Sequence, residues 1–330
     1  MKAGKVPESV LKRSVIKQVK VNKDKILSGP GVGMDFGAIL SEPGDTFVFS
    51  TAPVTGTAQE IGVKALQAVA NNVVVSGADP VGVTVTILLP AKTEESVLRA
   101  LLKEIAAYAK NSGMAILGGH TEVMDAVNAP VISITGVGKV KKEKLVSAAG
   151  AKAGQEIIMT KYAAIEGTAK IAREREEELL TRYPKSFIYE AQKMDQMFSV
   201  VEDAKIAREF KISAMHDVSE CGVYGALWEL AAASKVGLEI DLAKVPMKQH
   251  TVEICEFFDL NPYMLRGNGS LLIVADQGGA IVDALFNAGI EAAVIGHITG
   301  NQDKVVIYGE DADRRFLEPP RRDEIYRIEK

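Results

Sequence analysis

Along the first half of the chain, apolar and polar residues alternate in blocks of two different periods. Residues 46–50 (TFVFS) and 81–89 (VGVTVTILL) alternate every second position and are rich in β-branched and aromatic residues, which predicts strands. Between them Val63, Leu66, Ala70 and Val73 recur at helical intervals and predict a helix over 60–78 that stops at Gly77. Beyond Pro90, the positions Leu98, Leu101, Leu102 and Ile105 mark a second helix, with Thr93 as its N-cap and Asn111-Ser112-Gly113 as its stop. Strands at 114–117 and 131–137 complete a β-α-β-α-β-β order.

A lysine-rich stretch at 139–144, followed by 148–154, reads as a boundary between domains 1–150 and 151–330. In the second half the pattern predicts strands at 156–160, 238–242, 271–275, 293–298 and 304–308. Helices are expected at 168–180, 200–210, 223–234, 252–258 and 280–287. Alternating strands and helices in both halves make the fold class α/β (α+β), each half a layered structure.

Composition narrows the function classes. The 330 residues are 47% hydrophobic, with 39 basic against 43 acidic side chains and a net charge of −4. That is ordinary globular material with no basic surplus to recruit nucleic acid or an anionic membrane. No run of 18 apolar residues occurs, so no membrane span is expected. Cys221 and Cys255 are the two cysteines, too few for a disulfide scaffold, and a cytoplasmic protein is expected. The first 25 residues hold eight Lys and Arg without a signal-peptide core. They fit either a solvated helix face or a lid that closes on phosphate.

Standard nucleotide motifs fail. Gly29-Pro30-Gly31-Val32-Gly33 does not complete GxGxxG, and Gly138-Lys139 lacks the rest of a phosphate-binding loop. Four other clusters could carry chemistry. In Gly33-Met34-Asp35-Phe36-Gly37, the glycines let backbone N–H groups approach phosphate and Asp35 could hold a hard cation, unless it only closes a turn. Asn71 and Asn72 are two amides inside an apolar stretch and need partners, structural or functional. Gly118-Gly119-His120-Thr121-Glu122 follows a strand end, where a Gly-Gly turn would gather donors and a carboxylate. In Met215-His216-Asp217-Val218-Ser219-Glu220-Cys221-Gly222, Asp217 or Ser219 serves as a helix N-cap, or the helix start faces an anion.

The order of seven segments is more specific than any one of them: GPGVGMDFGAI (29–39), STAPVTG (50–56), ANNVVVSGADP (70–80), GGHTEV (118–123), EGTA (166–169), MHDVSECGVYGALWELA (215–231) and GSLLIVA (269–275). Together they resemble the aminoimidazole ribonucleotide (AIR) synthetase superfamily. That group includes the hydrogenase-maturation factor HypE, thiamine-monophosphate kinase and selenophosphate synthetase, and the chain looks most similar to its HypE-like, AIR-synthase-related members. The resemblance implies a two-domain architecture whose N-terminal sheet joins a second subunit's in a homodimeric barrel. It also implies ATP held with Mg²⁺, and phosphoryl transfer that activates an oxygen or another poor nucleophile or leaving group. On this resemblance Asp35 and Glu122 would bind Mg²⁺. Gly33, Asp35, Asn71, Asn72, Gly118, Gly119, Thr121 and Asp217 would surround the nucleotide, with His120 and Asp35 as catalytic residues. The substrate would be a small molecule or a group carried by a partner protein.

Departures from the family pattern weaken the expected metal site. Ala52 stands where the family has Asp in an STDP-like segment, Asn72 stands where it has Asp after Asn, and the often acidic position 34 is Met. At an effective dielectric of about 20, each missing unit charge some 4 Å from a cation forfeits on the order of 4 kcal/mol of gross attraction. HypE proteins carry a reactive cysteine at the C-terminus, whereas residues 326–330 contain none, so self-modification of a tail thiol is not expected. Cys221, in a position the motif usually gives to glycine, is expected to be a packed thiol. Two readings follow: an ATP-dependent enzyme, or a non-catalytic, degenerate dimeric protein that keeps the nucleotide-binding shell.

Overall fold

The computed structural model describes residues 4–5, 8–19, 26–28, 38–39, 41–56, 61–309, 311–319 and 322–328. The chain divides into two compact units, residues 1–74 with 78–145, and residues 75–77 with 146–330.

The first unit begins with β1 (Gly4–Lys5), the short helix α1 (Glu8–Val10), β2 (Ile26–Ser28) and β3 (Ala38–Ile39). It continues with β4 (Asp45–Thr55), α2 (Ile61–Val74), β5 (Asp79–Pro90), α3 (Glu95–Asn111), β6 (Ala115–Met124) and β7 (Val131–Lys141). The β-α-β-α-β-β order is therefore present. Five strands form an open sheet in the order β1-β6-β5-β7-β4, with β5 and β6 parallel and the other pairs antiparallel. Period-two patterning sets its faces: Val83, Val85, Ile87 and Leu89 are buried on one side, with Ile132 and Ile134 of β7 beside them. Against that side lie α2 and α3, which bury Leu66, Val69, Val73, Leu98 and Ile105. Each such side chain contributes about 1.5–3 kcal/mol on leaving water.

Several boundaries differ from the sequence expectations. The strand expected at 46–50 runs on through Thr55, because β4 keeps pairing with β7 to Val131. The helix expected to reach Ala78 ends at Val74. Thr93 does not cap α3; its hydroxyl turns back to the Pro90 carbonyl at 2.6 Å, and Glu94 occupies the N-cap without a side-chain bond. Part of the basic N-terminal segment packs on α3 rather than standing in solvent. Val10 and Ser14 are buried, and Glu95 accepts from Arg13, Ser14 and Arg99. Those bonds, Arg13 first, hold the Glu95 carboxyl far below the usual range.

The second unit comprises β8 (Glu156–Thr160), α4 (Ile165–Glu174), α5 (Glu176–Leu179), α6 (Lys185–Gln192), α7 (Val201–Ala207), β9 (Ile212–Val218) and α8 (Gly222–Ser234). After these come β10 (Gly237–Asp241), α9 (Gln249–Phe257), β11 (Ser270–Ala275), α10 (Gly278–Asn287), β12 (Ala292–Thr299), β13 (Lys304–Tyr308) and β14 (Asp313–Phe316). The seven-stranded sheet has the order β14-β13-β10-β12-β8-β11-β9. β11 is buried at every position, as expected of a strand covered on both faces. Ile157, Met159, Leu272 and Val274 pack with Leu227 and Leu230 of α8. The helix expected at 168–180 breaks at Arg175, and residues 212–218 form a strand that the pattern did not predict. No helix among the described residues is long and apolar enough to cross a membrane.

Candidate functional site

In the first unit, the Gly118-Gly119-His120-Thr121-Glu122 run is not a turn at a strand end but the interior of β6. The second glycine is there for contact: a Cβ built on Gly119 would lie 2.0 Å from the carbonyl oxygen of Val85, just beyond the register shift between Val83 and Thr84. Strand alternation then sorts the next three side chains. Thr121 is buried toward the helices, while His120 and Glu122 project together from the opposite face. There His120 Nε2 lies 3.1 Å from Glu122 Oε2, which orients the imidazole and leaves Nδ1 outward. The same face carries Thr84 and Thr86 of β5, and Thr51 and Thr135, whose hydroxyls hydrogen-bond at 2.9 Å.

The two asparagines lie on the other side of this sheet. Asn71 is buried and has a partner. Asn72 donates its amide to Ser50 Oγ at 3.1 Å, and Ala52 stands on the same face of β4 as Ser50. Asn71, Asn72, Ser50 and Ala52 are thus brought to the helix side, and His120 and Glu122 to the open side. Gly33 and Asp35 lie outside the described residues.

A Mg²⁺ ion needs about six oxygen ligands with substantial negative charge among them. Among the described residues no three His, Cys, Asp or Glu side chains gather to hold a metal. Glu122 is engaged with His120, while Ala52 and Asn72 add no charge on their side of the sheet. The described residues do not fit a resident Mg²⁺ site.

In the second unit the first turn of α4, the loops at 219–221 and 266–269 and the C-terminal segment converge. Glu166 and Gly167 donate their N–H groups to the carbonyls of Gly267 and Arg266, at 2.6 and 3.0 Å. Gly267 and Asn268 donate in turn to Ser219 and Val218, at 2.8 and 2.6 Å. The Glu166 carboxylate accepts from Asn268 and lies 3.7 Å from Arg266 Nε, a buried atom with no hydrogen-bond partner. Neither Asp217 nor Ser219 caps α8; the N-cap position belongs to Cys221, in a left-handed conformation at φ 59° and without a side-chain bond. Gly222 follows with φ +59°, and a Cβ there would lie 2.4 Å from the Leu265 carbonyl oxygen, so only glycine fits. Asp217 sits at the end of β9, its carboxylate 3.9 Å from His216 Nδ1, while His216 Nε2 reaches Glu229 at 3.2 Å.

Asp323 ties the C-terminal segment to this assembly. Its carboxylate accepts from the backbone N–H groups of Cys221 at 2.7 Å, Arg266 at 3.2 Å and Ile325 at 2.9 Å. Burial pushes its carboxyl above the usual value, and those bonds pull it back only in part. Burial, followed by the charges of Asp323 and Glu220, pushes the Cys221 thiol up to about 11, so it is protonated and unreactive at neutral pH. Cys255 is pushed up to about 12 by burial.

With the loops in place, the family can be read from both units. Residues 35–140 match the N-terminal domain of the AIR synthase related proteins, and residues 152–309 match their C-terminal domain. The chain belongs to the AIR synthase related proteins. Within them it is similar to a hydrogenase expression/formation protein of Methanocaldococcus jannaschii, at 25% identity over 98% of this chain and 97% of that one. It is 26% identical to the carbamoyl dehydratase HypE of Escherichia coli, over 89% of this chain and 88% of that one. A crystal structure of HypE in complex with ATP matches the fold with a TM-score of 0.78 at 18% identity, covering 96% of this chain and 95% of that one. This junction joins Glu166, from the EGTA segment, to three residues that motif reading passed over: Arg266, Asn268 and Asp323. Their signal was faint, consisting of Gly267 and Gly269 on either side of Asn268, whose φ is +48°.

Proposed function

We propose that this protein is a HypE-like, ATP-binding member of its family that activates a still unidentified substrate by ATP-dependent phosphoryl transfer. The observation that carries the reading is the His120–Glu122 pair on the open sheet face, in a chain that aligns along nearly its whole length with HypE. Glu122 holds the imidazole in one orientation, and the free Nδ1 is then available to take a proton or to contact a phosphate oxygen. The exposed threonine-lined face suits a homodimer in which a second copy's sheet completes a barrel. Both thiols are free, in keeping with the cytoplasm. Asp35, Gly33 and Asp217 remain the proposed nucleotide-side residues of the two units.

A second reading has its own support: the Asn72 amide is engaged with Ser50, and position 52 offers only a methyl group. It holds that the protein binds nucleotide as an assembly factor without turnover. Calorimetric titration with ATP, with and without Mg²⁺, followed by ADP release over hours, separates the two. Mg²⁺-dependent binding with turnover that falls at least tenfold in His120→Ala supports the enzyme. Binding without ADP release supports the assembly protein, and absence of nucleotide binding overturns both.

A further inference from the structure

In the second unit, an open cavity of about 450 Å³ is lined by residues of α8, of β13 and of the edge strand β14. Its floor is apolar, made by Leu242 and Val306, both part of the unit's core. One wall is an aromatic step: the rings of Tyr224 and Tyr263 lie 5.5 Å apart and within 10° of parallel. The step is anchored from behind, because Tyr263 donates its N–H to Asn261 Oδ1 at 3.0 Å and Tyr224 donates its own to the Tyr263 carbonyl at 3.0 Å.

The Tyr263 hydroxyl donates to the Leu242 carbonyl at 3.4 Å, but three other polar groups around this floor lack partners among the described residues. The Tyr224 hydroxyl, the Asn261 amide nitrogen and the Arg315 guanidinium make no hydrogen bond or ion pair there. Burial pushes the Tyr224 phenol up to about 12, so it is a neutral donor at physiological pH, and Arg315 lies close enough for its charge to act on it. Among the described residues Arg315 is the one charged residue lining the cavity. An apolar floor, a flat aromatic wall and a few convergent donors in a volume of this size are the marks of a small-molecule site. A single guanidinium matches a carboxylate, which it binds through two parallel hydrogen bonds, whereas a polyphosphate calls for several cations or a helix N-terminus.

We infer that this cavity binds a planar aromatic or heteroaromatic carboxylate of one or two rings, stacked against Tyr224 and Tyr263 and paired with Arg315. The inference uses none of the residues assigned to the nucleotide chemistry proposed above.

The test uses the full-length protein, with 2-naphthoate as the probe and naphthalene-2-carboxamide as its uncharged counterpart, followed by titration NMR. Naphthoate is expected to bind at least tenfold more tightly than the amide. Arg315→Gln, at an exposed edge-strand position that leaves the core intact, brings naphthoate down to the affinity of the amide and leaves the amide unchanged. Asn261→Asp keeps the acceptor for Tyr263 but adds a negative charge, and weakens naphthoate alone. Saturating ATP leaves all these affinities where they were. Equal binding of acid and amide, no binding of either, indifference to Arg315→Gln, or displacement by ATP each overturns the inference.

Discussion

The Asn72 amide donates to Ser50 Oγ at 3.1 Å, joining the last turn of α2 to the middle of β4. Ser50 and Ala52 share one face of β4, so this bond brings Asn72 to the face of Ala52, the two positions where the family resemblance leads us to expect carboxylates. Restoring them tests whether the nucleotide phosphates face the helix side of the sheet, opposite the His120–Glu122 pair. Ala52→Asp combined with Asn72→Asp should tighten ATP binding at least tenfold in the presence of Mg²⁺, since each added charge is worth about 4 kcal/mol of gross attraction to a cation 4 Å away. Without Mg²⁺ the same variant should bind ATP more weakly, because the new carboxylates then repel the triphosphate. Calorimetry in the two buffers reads the opposite signs, and no change in either means that this patch does not face the phosphates.

The adjacent glycines of β6 differ in what surrounds them. A Cβ on Gly119 would meet the Val85 carbonyl at 2.0 Å, whereas one on Gly118 would meet nothing within 4 Å. Gly119→Ala must push β5 and β6 apart and is expected to cost about 1–3 kcal/mol or more. Gly118→Ala should change stability by less than about 0.5 kcal/mol. Urea midpoints of the two variants provide the comparison, and equal midpoints would contradict the close strand approach.

That pair also shows where sequence reading stops. Gly-Gly followed by polar residues has the composition of a turn, yet both glycines are strand residues, one required by a neighbouring carbonyl that no local pattern displays. The alternations in β5 and β7 and the helical spacing in α2 and α3 were legible because each element buries one face, and burial imposes a period. β14 was not, since Asp313, Arg314, Arg315 and Phe316 are all exposed and so carry no period. β9 was hidden by the polar run His216-Asp217, which borders α8 and looks like a loop. In the second unit the EGTA and HDVSECG motifs were visible singly. Their junction was not, because it is made by Arg266, Asn268 and Asp323, which are distant in sequence and joined through backbone hydrogen bonds.

Asp323 holds that junction through three backbone donors. Replacing it with Ala leaves the N–H groups of Cys221, Arg266 and Ile325 to find water or go unpaired, at a cost of roughly 3 kcal/mol in all. The loss should be local as well as global. Cys221, already half-buried, would become more accessible, and its reaction with a thiol reagent should accelerate at least tenfold while Cys255, in the core, stays protected. Timed alkylation followed by peptide mass analysis distinguishes this from general unfolding, in which both cysteines would react together.

At the start of β4, Asp45 makes ion pairs of opposite consequence for acid stability than a buried carboxyl such as Asp323. Lys141 Nζ lies 2.8 Å from Asp45 Oδ1 and Lys139 Nζ 3.1 Å from Oδ2, while the Glu42 backbone N–H donates at 2.9 Å. These partners, Lys141 foremost, hold the Asp45 carboxyl far below its usual value of 3.8. The folded chain then keeps this group ionised at a pH where the unfolded chain takes up a proton, so the native state binds fewer protons. Its contribution to stability is complete above pH 3.8 and is lost as the pH falls below that toward the depressed folded value. Asp45→Asn should accordingly lower the urea midpoint at pH 7, with the gap to the parent protein narrowing from about pH 4 downward. A gap that stayed constant between pH 7 and pH 3 would show that Asp45 stabilises β4 through its shape and neutral hydrogen bonds rather than through its charge.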